Sequence, residues 1–234
     1  NVVLEKHTSN SFYNSKKLVD YALKKKLKIS VVMQRRFDAS SDYLKYLIQK
    51  KIGKKFLIKL NIFMHRDHKY FDKLKWLKEK KKSGGGILIH HAIHSIDQLL
   101  YVLNQKVIDA KCHISNKILK LKIEDTAVGF IVFKNQKIAS LSATYCANKN
   151  LKNSIEIYGD KLSVKLENNK IYNLSKRYNK KDYVLKSFAK ASLGNYQSIW
   201  KDFYIAEKSR VSIDRILETD KAISLMYKSF LFKI

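Results

Sequence analysis

The chain has 234 residues, 48 Lys and Arg against 20 Asp and Glu, a net charge of +28, seven glycines and no proline. Its 45% hydrophobic content is enough for a sizeable core, but no apolar run reaches the ~18 residues of a bilayer span, and the first residues lack a signal-peptide pattern. Nucleic acid is not an expected partner either: the lysines are dispersed in short runs such as Lys24-Lys25-Lys26 and Lys80-Lys81-Lys82, and with no proline where ~5% is usual they read as drift toward AT-rich codons on solvated faces.

Val2 to Leu4 is a short apolar strand. Asn10 or Ser11 can cap a helix whose inner face is Leu18, Val19, Ala22 and Leu23. Ile29 to Met33 is a second strand, and strand–helix–strand is the tail of a parallel α/β unit. A helix follows over Asp38 to Lys50, with Tyr43, Leu44, Leu47 and Ile48 apolar. The texture then changes. Phe56, Ile58, Leu60, Ile62 and Met64 alternate with more polar positions, the period of a half-buried strand. Further strands are predicted at Val107 to Ile114, Thr126 to Phe133, Ile138 to Tyr145, Ser154 to Tyr158 and Leu162 to Leu166, with short turns that imply antiparallel neighbours. The lysine-rich stretch 175–193 reads as a loop. Helices are predicted around Tyr196, Ile199, Trp200 and Phe203, and around Ile216, Ile223, Met226, Tyr227 and Phe230. The cysteines Cys112 and Cys146 lie in apparent strands, form no CxxC pair and read as buried free thiols of a reducing cytosol. A cytoplasmic location is the expectation.

The densest segment is Gly84-Gly85-Gly86 followed by Ile87-Leu88-Ile89-His90-His91-Ala92-Ile93-His94-Ser95-Ile96-Asp97 and an apolar run to Leu103. It reads as a buried helix that presents imidazoles from its first turns, with His90, His94 and Asp97 on one face. Glycine just before such a helix lets backbone or ligand approach closely. His90 and His94 have the His-x-x-x-His spacing of some zinc sites. The glutamate of HExxH is absent, however, and beyond His65 and His68 no third ligand offers itself, so no metal is expected.

This segment resembles the Gly-Gly-x-x-x-Asp-x-Gly-x-His-x-x-Asp stretch of the Gfo/Idh/MocA family of nicotinamide-dependent sugar oxidoreductases. Val2-Val3-Leu4-Glu5-Lys6-His7 is similar to that family's Glu-Lys-Pro strand end, and Val32-Met33-Gln34-Arg35-Arg36-Phe37 to its Gln/Asn-x-Arg-Phe/Tyr strand end. Ile123-Glu124-Asp125-Thr126-Ala127 and Ile155-Glu156-Ile157-Tyr158-Gly159-Asp160 resemble strands of its sheet domain. The likeness runs along nearly the whole chain. It departs from the family pattern at His7, where proline is usual, at His90, where aspartate is frequent, and at Ala92, where glycine is usual.

The resemblance implies an α/β remnant, residues 1–35, as the tail of a Rossmann domain. Residues 36–234 would form an α+β catalytic and oligomerisation domain, a mostly antiparallel open sheet with helices packed on one face. It implies NAD or NADP as cofactor, although none of the seven glycines gives the Gly-x-Gly-x-x-Gly spacing that seats a pyrophosphate. The chain is therefore expected to lack roughly the first hundred residues of a family member. The implied substrate is a sugar or nucleotide-sugar. His94 would be the base and Lys6 the cation at the reacting oxygen, with His90 beside them. Glu5, Lys6 and Gln34 would border the cofactor. Arg36, Tyr70, Trp76, His90 and Asp97 would meet substrate, with Asp97 also able to orient His94. The open sheet face would join copies of the chain. The alternative is a non-catalytic member that only folds and oligomerises.

Overall fold

The computed structural model describes residues 1–9, 11–175, 184–187, 194–207 and 209–229. Strand β1 (Val2–Leu4) pairs in parallel with β2 (Ile29–Val31), and helix α1 (Phe12–Lys24) connects them. Ser11 caps α1, its side chain accepting from the Asn14 N–H. Ser15, Val19 and Ala22, at i, i+4 and i+7, form the buried face of α1. Leu23, expected on that face, is 63% exposed because it is turned about 100° from Ala22.

A 3₁₀ turn at Gln34–Phe37 leads to helix α2 (Ala39–Lys50). Strand β3 (Phe56–Phe63) follows, then the short helices α3 (His68–Lys73) and α4 (Lys80–Ser83). A π-helical turn at Leu88–Ala92 runs directly into α5 (Ile93–Leu103). Strands β4 (Val107–Ser115), β5 (Thr126–Phe133), β6 (Ile138–Thr144), β7 (Ser154–Gly159), β8 (Ser163–Glu167), β9 (Lys170–Asn173) and β10 (Val184–Ser187) complete a second sheet. Helices α6 (Gly194–Ile205) and α7 (Ile213–Ser229) close the described chain.

The large sheet has the order β10-β9-β8-β7-β3-β6-β5-β4 and is antiparallel except where β3 runs parallel to β6. Its helices lie on one face: α7 packs along β4, α5 against β3 and β7, α1 on α7 and α2 on α5. The alternation in β3 serves that arrangement, with Ile58, Leu60 and Ile62 buried under the helices while Leu57 and Lys59 face outward. The architecture is thus the α/β piece plus open-faced α+β sheet read from the sequence. Three details differ. Strand β9 is an addition to the strands expected, and β10 lies inside the stretch read as a loop, of which residues 176–183 and 188–193 fall outside the described residues. Cys146 sits just past β6 in an isolated bridge with His65. Both cysteines are free.

One buried ion pair ties the turn after β2 to the helices packed on the large sheet. Arg36, in the turn after β2, donates from Nε and Nη2 to the two carboxylate oxygens of Asp97 on α5, at 2.9 and 2.7 Å. Its Nη1 reaches the Arg210 carbonyl and its Nη2 also the Arg215 carbonyl, while Thr219 of α7 donates to Asp97. Arg36 is 3% and Asp97 1% exposed. A charge pair this deep is costly to form but far costlier to halve. Asp97→Ala, which strands the guanidinium, should lower the unfolding free energy by about 3–5 kcal/mol in urea titrations; a loss under ~1 kcal/mol would contradict this role.

Candidate active site

At the C-terminal ends of β1 and β2, the edge where α/β sheets bind ligands, the segment after β1 meets the π-helical turn and the turn after β2 meets α5. Lys6, two residues past β1, donates from its ammonium to the His90 carbonyl at 2.9 Å. Burial lowers the Lys6 pKa, and only the neighbouring Glu5 carboxylate opposes the shift. The Trp76 ring meets the His90 imidazole edge-on at 5.8 Å, and His7 lies 6.3 Å from it on another side. The peptide bond between Lys6 and His7 is cis.

The glycines let this turn sit where it does. A Cβ on Gly86 would lie 1.9 Å from the Glu124 carbonyl oxygen, and one on Gly85 would lie 2.0 Å from the Tyr227 hydroxyl. With no side chain there, Ile87 N–H donates to the Glu124 carbonyl, and Leu88 N–H and the Tyr227 hydroxyl donate to the Glu124 carboxylate. The close approach foreseen for the glycines is therefore that of protein groups. Glu124 and Asp125, the acids of the strand motif, are structural: Asp125 Oδ2 accepts from the N–H groups of Ile118 and Leu119.

The π turn inserts extra backbone between Leu88 and Ile93, whose N–H reaches the Leu88 carbonyl. The three imidazoles consequently point to different surroundings. His91 shares a 2.8 Å hydrogen bond with the Tyr145 hydroxyl, beneath Phe71. His90 Nε2 and His94 Nδ1 are buried with no hydrogen-bond partner among the described residues. Burial lowers all three pKa values, His90 to about 4 and His91 to about 3, with His94 well below 6.5. The charges of Arg35 and Lys6 press His94 further in the same direction. The site therefore holds neutral imidazoles among cations. That combination can take a proton from a hydroxyl and stabilise the oxyanion it leaves.

The sequence-chosen residues divide. Lys6, His90, His94 and Trp76 come together, with Glu5 exposed at the rim and Gln34 lining the adjoining cleft. Arg36 and Asp97, expected at the substrate, instead satisfy each other in the core, so Asp97 does not orient His94. Tyr70 lies under the Arg66 guanidinium, 4.7 Å from it, and edge-on to Phe71. Arg35 and the His91–Tyr145 pair are not among the sequence-chosen residues. The Arg-Arg doublet was the available signal for Arg35, because adjacent residues leave a turn in different directions. Among the described residues no group of three or more His, Cys, Asp or Glu side chains gathers as for a metal, and no helix is long and apolar enough to cross a membrane.

The family model for the GFO/IDH/MocA C-terminal domain matches residues 43–165. The chain belongs to this oxidoreductase family. Among solved structures, the WlbA dehydrogenase of Bordetella pertussis in complex with NADH and UDP-GlcNAcA is similar at 22% identity, with a TM-score of 0.83 over 99% of this chain and 69% of the other. The WlbA enzyme of Chromobacterium violaceum, with the same two ligands, is similar at 24% identity and a TM-score of 0.84 over 98% and 68%. The UDP-N-acetylglucosamine 3-dehydrogenase GnnA of Acidithiobacillus ferrooxidans is similar at 13% identity and a TM-score of 0.74 over 98% and 70%. No curated protein sequence matches.

The unfolded chain protonates these histidines near 6.5, whereas the folded one resists until far lower pH. Stability should therefore fall as pH drops below 6.5, by up to ~1.4 kcal/mol per unit for each histidine. Asp220, whose carboxyl burial raises to about 6, works in the opposite direction. Imidazole ¹⁵N shifts of His90, His91 and His94 should show neutral rings from pH 7 down to pH 5; an inflection between 6 and 6.5 for His94 would overturn its burial.

Proposed function

We propose that this chain is the catalytic and substrate-binding part of a nicotinamide-dependent dehydrogenase acting on a sugar or nucleotide-sugar, with residues 1–35 as the tail of its dinucleotide-binding domain. The observation that carries the reading is the meeting of a half-buried ammonium, Lys6, with buried imidazole nitrogens that lack partners, at the strand ends where such ligands bind. Those orphaned nitrogens fit a polar ligand group seated against the π turn. The pyrophosphate is another matter, since Gly-x-Gly-x-x-Gly does not occur in these 234 residues. A nicotinamide bound at this site would supply the hydride acceptor. Lys6 holds the sugar hydroxyl oxygen and stabilises the charge that grows on it. His94 takes the hydroxyl proton on Nδ1, and being neutral at pH 7 it is ready to do so. His90 Nε2 hydrogen-bonds a neighbouring hydroxyl, and the Trp76 face shields one side from water.

The similar structures bound to NADH and UDP-GlcNAcA support the same class of cofactor and substrate. Joined to a dinucleotide-binding segment that supplies the pyrophosphate seat, the parent should oxidise nucleotide-linked sugars, followed by nicotinamide absorbance with NAD and with NADP. Lys6→Met and His94→Gln should each reduce kcat by about 10²–10⁴-fold with the fold preserved. Parental rates in both variants would refute the roles of Lys6 and His94 in proton transfer.

The same reading includes self-association through the sheet. Leu57, Ile108, Val128, Phe130, Ile138 and Tyr158 are exposed on strands β3 to β7, on the face turned from the helices. Apolar exposure of this kind marks a contact surface. Phe130→Lys with Val128→Lys should shift the protein to a slower-sedimenting species without altering its circular dichroism. An unchanged sedimentation coefficient would count against that surface.

A further inference from the structure

Beside the candidate active site lies a cleft of about 420 Å³, bounded by the turn after β2, by α5, by the segment entering β7 and by the β8–β9 turn. Arg35 forms part of its wall. The guanidinium is held by one nitrogen: Nη1 donates to Ser95 Oγ at 2.9 Å and, at 3.5 Å, to Gln98 Oε1. No described residue accepts from Nε or Nη2, and no described carboxylate comes within ion-pair distance of Arg35. Burial lowers the pKa of this group, and the more distant Asp38 and Asp97 oppose the shift only in part. The contrast with its neighbour is direct, since Arg36 has all three nitrogens engaged by Asp97 and two carbonyls.

Across the cleft Lys152 is exposed and forms no ion pair among the described residues, and Asn153 and Asn168 supply amides. Asp38 is the one acidic residue in the lining. The cleft is therefore polar and carries a surplus of positive charge. Its cation still has the Nε–Nη2 edge, two parallel N–H groups that match the two oxygens of a carboxylate or phosphoryl group. Arg35 also adjoins the reaction centre, because its charge acts on His94.

We infer that the cleft is a receptor for an oxyanion carried by the substrate, a carboxylate or phosphoryl group, with Arg35 as its fork and Lys152 as a supporting charge. This rests on the sugar-dehydrogenase reading for the identity of the substrate, though not for the binding itself. Arg35 would thus select acidic or nucleotide-linked sugars over neutral ones.

The test is calorimetric titration of the full chain with glucose, glucuronate, UDP and UDP-glucuronate. Anionic ligands should bind the parent more tightly than glucose. Arg35→Gln should weaken them about 10- to 100-fold, the value of a charged hydrogen-bonded pair, and leave glucose unchanged. Arg35→Lys should recover only part of the loss, since an ammonium lacks the fork. Lys152→Glu, on an exposed side chain that cannot threaten folding, should weaken the same ligands several-fold, more at low salt. Tightening by glucuronate identifies a carboxylate, and tightening by UDP alone identifies the diphosphate. Equal affinity for all four compounds, or anion binding indifferent to both Arg35→Gln and Lys152→Glu, overturns the inference. Arg35-dependent anion binding without any turnover, even with a dinucleotide-binding segment joined to the chain, would sink the dehydrogenase reading and leave the receptor standing; turnover indifferent to Arg35 would do the reverse.

Discussion

A guanidinium and a carboxylate, both almost out of contact with water, set the orientation of everything around the candidate site. Arg36 and Asp97 cannot be buried unless each finds its full complement of partners, and those come from three places: the turn after β2, the middle of α5, and α7 with the segment just before it. The constraint fixes the rotation of α5 about its axis. With Asp97 turned toward Arg36, the preceding turn of the helix carries His94 into the field of Lys6 and Arg35, and Ser95 and Gln98 are left to hold Arg35. A residue that sequence spacing offers as a ligand contact is thus the device that aims the others.

Glu124 imposes the second constraint. Its backbone and carboxylate receive the N–H groups of Ile87 and Leu88, which a helix start would otherwise leave unpaired. The approach is so close that only glycine fits at position 86. From that anchor the chain enters a π turn before settling into α-helical geometry, and the added residue spreads His90, His91 and His94 over separate environments. Burial then keeps all three neutral. Packing, rather than any one catalytic partner, sets the protonation state of these imidazoles.

Much of this was readable in the residues because it depends on local pattern. Alternation in β3, the Ser11 cap and the runs behind β4 to β8 are short-range signals, and the structure places strands and helix there. The site was legible in part for the same reason, since Lys6 ends a strand and His94 follows a glycine-led apolar run. The misreadings concern direction. Helical spacing put His90, His94 and Asp97 on one face, but the π turn breaks the period ahead of His94, and no composition signal announces it. The Arg35-Arg36 doublet shows the same limit: which guanidinium turns inward depends on where a carboxylate sixty-one residues later is carried by the fold.

Burial also separates two kinds of positive charge that the sequence mixes. Lysines 24 to 26, 54, 55 and 80 to 82 are exposed, where another charge costs little and compositional drift can accumulate. Lys6 and Arg35 are not of that kind. Each is withdrawn from water enough for burial to lower its pKa, and neither has a carboxylate in contact to offset the loss of hydration. Drift does not maintain a partly desolvated, incompletely paired cation, because the unpaired state is itself destabilising. An oxyanion bound against them would restore what burial removes. The +28 net charge thus mixes exposed lysines with two of the forty-eight basic side chains, Lys6 and Arg35, that burial sets apart.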